Sequence, residues 1–141
     1  MRNAHKYFIR IVVFLLILLW VYAAASKLIA FGHFQDQMHK QVLFPFIQAL
    51  LIYLLPPVEL AIAVVLTFDK TQKAGIYSSS ILLFFFTGYV ALVKLHFFKW
   101  VPCSCGGILE HMGWTAHLIF NLFFLALTIT GIHIIKRKEL K

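Results

Sequence analysis

Four long apolar stretches constrain this chain more than any other feature. A helix needs about 20 mostly apolar residues to cross the hydrocarbon core of a bilayer. The stretches run from about Ile9 to Ile29, Phe44 to Phe68, Ile76 to Phe98 and Thr115 to Ile135. They take up more than half of the 141 residues and leave only short loops and tails. Membrane strands are the alternative, but those are about 10 residues long and alternate apolar with polar side chains. Ile11–Trp20 and Ile81–Phe86 are apolar at every position. The expected fold is therefore all-α: one domain over residues 1–141, folded as a four-helix transmembrane bundle.

Composition excludes the competing classes. Apolar residues make up 62% of the chain and charged residues 13%, against about 45–50% and about 25% in soluble domains. Fifteen Phe residues add to the excess. A chain of this size has too much surface to hide that hydrocarbon from water, so an ordinary soluble domain is excluded. A disordered chain and a soluble disulfide scaffold are excluded as well.

The net charge of +8 raises the question of nucleic acid, and the placement of the charges answers it. Arg2, Lys6, Arg10, Lys70, Lys73, Lys136, Arg137, Lys138 and Lys141 fall on one side of the expected bundle, and Lys27, Lys40, Lys94 and Lys99 on the other. Cytoplasmic loops carry the excess of Lys and Arg, so both termini are expected in the cytoplasm. No nucleic-acid partner is needed. The outward loops are then about Ala30–Leu43 and Lys99–Trp114. The basic start, the apolar run and Ala23-Ala24-Ala25 imitate a secretory signal. The apolar pattern continues through Leu28, Ile29 and Ala30, so the segment is read as a retained first helix.

Breakers agree with this division. Asp69-Lys70-Thr71-Gln72-Lys73 makes a polar turn between the second and third spans, and Pro102 stops the third. Pro56-Pro57 inside the second span predicts a kink, since proline withholds a backbone donor.

The two cysteines, Cys103 and Cys105, lie in the second outward loop, within Pro102-Cys103-Ser104-Cys105-Gly106-Gly107. A staple closing about three residues contributes only about 1.6 kcal/mol in the chain-entropy model. So close a pair is expected to be strained, and strained, exposed disulfides tend to be labile or catalytic. Redox exchange is therefore the main expectation, with metal binding and a passive pair as alternatives. Gly106 and Gly107 let a partner's backbone approach. His111 and His117 lie near enough in sequence to stabilise a thiolate, although interfacial packing is the plainer role for each. Trp100 and Trp114 bracket the loop as an interfacial belt, with a pocket for a flat quinone ring as the sharper reading.

Inside the spans, Glu59 stands out. An intramembrane carboxylate is costly and needs a partner, for which Lys27 and Lys94 are the candidates. The plain role is an ion pair that fixes packing, and the sharper one is a proton carrier. Asn121 is expected to make an interhelical hydrogen bond. His96, His117 and His133 form only a weak haem pattern, without a spacing rule.

Cys103-Ser104-Cys105-Gly106-Gly107, Gly113-Trp114 and Asn121, with Ser26-Lys27-Leu28 and Pro57-Val58-Glu59-Leu60 in the amino half, resemble the pattern of the MauE family. These are methylamine-utilisation membrane proteins within the wider DoxX-like group. The resemblance covers most of the chain. It implies a four-helix protein of the bacterial inner membrane, redox-associated, with a thioredoxin-like periplasmic partner. By position, Cys103 and Cys105 would be the redox pair, and Lys27, Glu59, Trp114 and Asn121 family-typical positions. The chain departs at Gly106, where an aromatic is common, and at His117, where Arg is common.

The expectation is thus a membrane protein whose periplasmic Cys103/Cys105 pair exchanges disulfides with a thioredoxin-fold partner, with quinone as a further electron carrier. The alternatives are Cu(I) handling by Cys103, Cys105, His111 and Met112, with thiolate, imidazole and thioether as soft ligands, and a non-catalytic assembly subunit.

Overall fold

The structure is a computed structural model and describes residues 2–41, 43–95 and 113–140. The described residues form five helices and no strand: α1 (Arg2–Ile29), α2 (Phe31–His39), α3 (Pro45–Thr67), α4 (Gln72–Lys94) and α5 (Trp114–Glu139). The four long helices are each long and apolar enough to cross a membrane. The chain is a multi-pass membrane protein. The stretch 96–98, where the third span was expected to end, lies outside the described residues.

The long helices form a ring in the order α1, α3, α4, α5, each antiparallel to its neighbours. The closest pairings are α1 with α3 and α4 with α5. Each helix turns one stripe inward at spacings of three and four residues. In α1 the stripe is Val13, Leu16, Trp20, Ala24 and Lys27, and in α5 it is Asn121, Phe124, Thr128 and Gly131. The opposite faces are no less apolar. Phe14 is 61% exposed, Phe84 63% and Phe123 56%. In water so many exposed rings would be an aggregation liability, whereas against acyl chains they are the expected surface.

One end of the ring holds both chain termini and the α3–α4 turn. There Val12, Leu16, Ile62, Leu66, Ile76, Leu83 and Phe124 pack into one buried cluster. The turn is tight. Thr71 Oγ1 donates to the carbonyls of Val65 at 2.7 Å and Phe68 at 3.2 Å, and Gln72 Nε2 donates to Asp69 Oδ1 at 3.0 Å. Gly75 lets α4 approach α3 closely, since a Cβ there would lie 2.7 Å from Leu66 Cδ2 and 3.2 Å from the Leu66 backbone nitrogen. An exposed ion pair between Lys73 and Glu139 ties the start of α4 to the end of α5.

The other end carries α2, a correction to the reading of Ala30–Leu43 as a loop. Phe34, Gln37 and Met38 of α2 are buried, with Phe34 and Met38 packed near Ile52 and Leu55 of α3. At this same end, Lys94 of α4 donates through its Nζ to Thr115 Oγ1 of α5. That bond joins the helix ends on either side of residues 96–112.

The prolines do not interrupt α3, which runs as one helix from Pro45 to Thr67. They withhold the two N–H groups that would bond to the carbonyls of Ile52 and Tyr53. Pro45 opens the same helix, where its missing N–H costs nothing.

Candidate functional site

The site begins with the ion pair that the sequence left open between two lysines. Lys27, in the last turn of α1, is the partner of Glu59; Lys94 is engaged with Thr115 instead. Lys27 Nζ donates to Glu59 Oε1 at 3.0 Å, to Glu59 Oε2 at 3.2 Å and to the Ala23 carbonyl at 3.1 Å. It also lies 5.9 Å from the centroid of the Phe34 ring. Glu59 is fully buried and Lys27 is 8% exposed. Two charges removed from water attract strongly but lose much solvation, so close geometry with full hydrogen bonding is what makes the pair tolerable. An ammonium has three protons to donate, and here all three have acceptors.

Around this pair the helices stand apart and enclose a cavity of about 510 Å³. Its wall is mainly Leu, Ile, Phe and Met side chains from all five helices. Trp20 lies between this cavity and the packed end, where its Nε1 donates to Ser79 Oγ of α4 at 2.9 Å. Toward α2, Tyr89 donates from its hydroxyl to Gln41 Oε1 at 2.6 Å. Gln41 Nε2 donates to the Gln37 carbonyl at 3.2 Å, and Gln48 Nε2 to the Gln41 carbonyl at 3.0 Å.

The contribution of α5 is a short row of Trp114, His117 and Asn121 on one face. The Trp114 and His117 rings stack at 6.3 Å and 23°. His117 Nδ1 and Asn121 Nδ2 are buried without a hydrogen-bond partner. This corrects the expectation for Asn121. It is only 5% exposed and lines the cavity, and its amide nitrogen finds no acceptor on a neighbouring helix because the cavity separates the helices there.

Five residues singled out from the sequence therefore share one cavity: Lys27, Glu59, Trp114, His117 and Asn121. Cys103, Cys105 and His111 lie outside the described residues, as do His96, Trp100 and Met112. Of the haem pattern, His117 and His133 are sixteen residues apart on α5, hence about 24 Å along its axis, and do not share a ligand. Among the described residues no three His, Cys, Asp or Glu side chains come together as a metal site.

Sequence reasoning missed Trp20 with Ser79 and Tyr89 with Gln41. A signal existed for the first pair. A Trp at mid-span, away from the interfaces, needs a hydrogen-bond acceptor, and Ser78-Ser79-Ser80 is a polar interruption of α4.

The family model described as methylamine utilisation protein MauE matches residues 5–134. No curated protein and no solved structure matches the chain.

Proposed function

The chain belongs to the MauE family of membrane proteins, and from that footing we propose that it exchanges disulfides with a thioredoxin-fold partner through Cys103 and Cys105. The observation that carries this reading is the position of the Cys-x-Cys sequence. It falls in the sequence between α4 and α5, and the helix ends that flank it, Lys94 and Trp114, lie at the α2 end of the bundle, away from the basic ends of α1 and α5. By the positive-inside rule the tails face the cytoplasm. The cysteines then face the periplasm of a bacterial inner membrane, where disulfides persist.

In this reading the Cys103 thiolate attacks the partner's disulfide. A sulfur–sulfur bond forms between the two proteins, and the partner's other sulfur leaves as a thiolate. The Cys105 thiolate then attacks Cys103 of the mixed disulfide. The partner departs as a dithiol, and Cys103 and Cys105 are left oxidised as a disulfide. Run backwards, the same steps oxidise the partner.

Trapping tests the reading. Cys105→Ser is expected to accumulate a covalent adduct on Cys103 in native membranes, which thiol reductant releases. A wild-type pair that never changes redox state, with no adduct in the variant, would refute it. Labelling of Cys103 by a membrane-impermeant thiol reagent only after lysis would overturn the periplasmic placement.

A further inference from the structure

Beyond disulfide exchange, and without need of either cysteine, we infer that the cavity among the helices is a binding site for a lipid-soluble molecule of the quinone class, with a flat carbonyl-bearing ring and an apolar tail.

Size and wall set the first condition. Small-molecule sites usually enclose about 300–1,000 Å³, and this one encloses about 510 Å³ behind a mostly apolar wall. Phe85 both lines the cavity and is 67% exposed on the lipid-facing side of α4. The cavity therefore extends to the lipid boundary, and a ligand dissolved in the bilayer can enter without crossing water.

The polar groups set the head of the ligand. Lys27 and Glu59 neutralise one another, so the wall carries no net charge there to offset a charged head. The Lys27 protons are committed to Glu59 and Ala23, and the indole proton of Trp20 to Ser79. Among the fully buried polar atoms of the wall, Asn121 Nδ2, a donor, and His117 Nδ1 are left without partners. They stand one helical turn apart on the same face, close enough to serve one small ring. Buried polar atoms without partners are costly where no water can reach them. A carbonyl oxygen satisfies the Asn121 amide, which a bare acyl chain cannot do. The stacked Trp114 and His117 rings offer an aromatic surface beside it, where a flat ring packs favourably.

The full-length protein in lipid nanodiscs, titrated with a decyl-tailed benzoquinone, tests the inference. Quinones quench indole fluorescence, and Trp20 and Trp114 line the site. Saturable quenching is expected. Asn121→Leu is expected to weaken binding by about 3- to 10-fold, the worth of one buried hydrogen bond. Ala23→Trp, which fills the cavity, is expected to abolish saturation while helical circular dichroism is retained. The double Cys103→Ser, Cys105→Ser variant is expected to bind like the wild type, so a failed exchange reaction leaves this result standing. Decylbenzene, which lacks the carbonyls, is expected to compete at least 3-fold more weakly. Linear quenching, equal affinity in Asn121→Leu, or equal competition by decylbenzene would overturn the inference. The last would mean that the cavity holds only a hydrocarbon tail.

Discussion

The two ends of this bundle solve the same packing problem differently. At the end that holds the termini, Leu16, Leu66 and Ile76 are fully buried and interlock, and Gly75 brings two backbones together. At the α2 end the same four helices part, and the space between them is bounded by Lys27, Glu59, His117 and Asn121. Without a hydrophobic force between helices in lipid, association rests on close packing and on interhelical polar contacts. One end relies on the first and the other on the second. The lesson is that mean hydropathy, +0.88 for this chain, says that helices insert but not how they adhere.

Substitutions can break this contrast. The largest effect is expected at the ion pair. Glu59→Leu alone strands a buried ammonium and is expected to cost about 3–5 kcal/mol. The double change Lys27→Met with Glu59→Leu removes both charges and is expected to regain most of that loss. Reversible unfolding in mixed detergent micelles measures both. A single variant as stable as the wild type would mean that the pair is solvated and the α2 end is not held by it.

Leucine truncation compares the ends directly. Leu66→Ala in the packed end is expected to cost about 2–5 kcal/mol, the usual range for a cavity in a filled core. Leu55→Ala already borders empty space, loses fewer contacts and is expected to cost less than half as much. Equal losses in the same unfolding assay would erase the distinction between the two ends. A smaller effect is expected at Gly75→Ala. The new Cβ must displace Leu66, and overpacking of this kind costs about 1–3 kcal/mol. No loss there would show that α4 can retreat from α3.

The four spans were legible in the sequence because bilayer thickness fixes a length that Ile9–Ile29 and the other stretches satisfy. The helix ends were less so. α1 begins at Arg2, ahead of the apolar run, because a helix once nucleated continues readily into polar residues. α5 runs on through Lys136, Arg137 and Lys138, whose charges suit a helix C-terminus. The α2 helix was missed for want of a start signal. Its N-cap is Ala30, which offers no side-chain acceptor, although Phe31, Phe34 and Met38 already carried helical spacing.

The site was half legible. That Glu59 needs a cation follows from the cost of a buried carboxylate. Which cation depends on the ring order of the helices, which no single span encodes. Lys27 and Lys94 have similar claims until α1 is placed beside α3. Asn121 shows the opposite case. A polar residue in a span reads as an interhelical bond, and only the arrangement of all five helices reveals a cavity in front of it.

Trp20 has an electrical consequence. Its indole, 1% exposed and hydrogen-bonded to Ser79, lies between the hollow end and the aliphatic packing beyond it. The bundle is therefore a well rather than a pore. The packed layer behind Trp20 is apolar and closes that side of the cavity. A charge carried across the whole membrane exchanges about 2.3 kcal/mol with the field per 100 mV, whereas one moving only between the α2 end and Glu59 exchanges a fraction of that. A charge that enters and leaves at the α2 end makes no net crossing and leaves the membrane voltage undiminished.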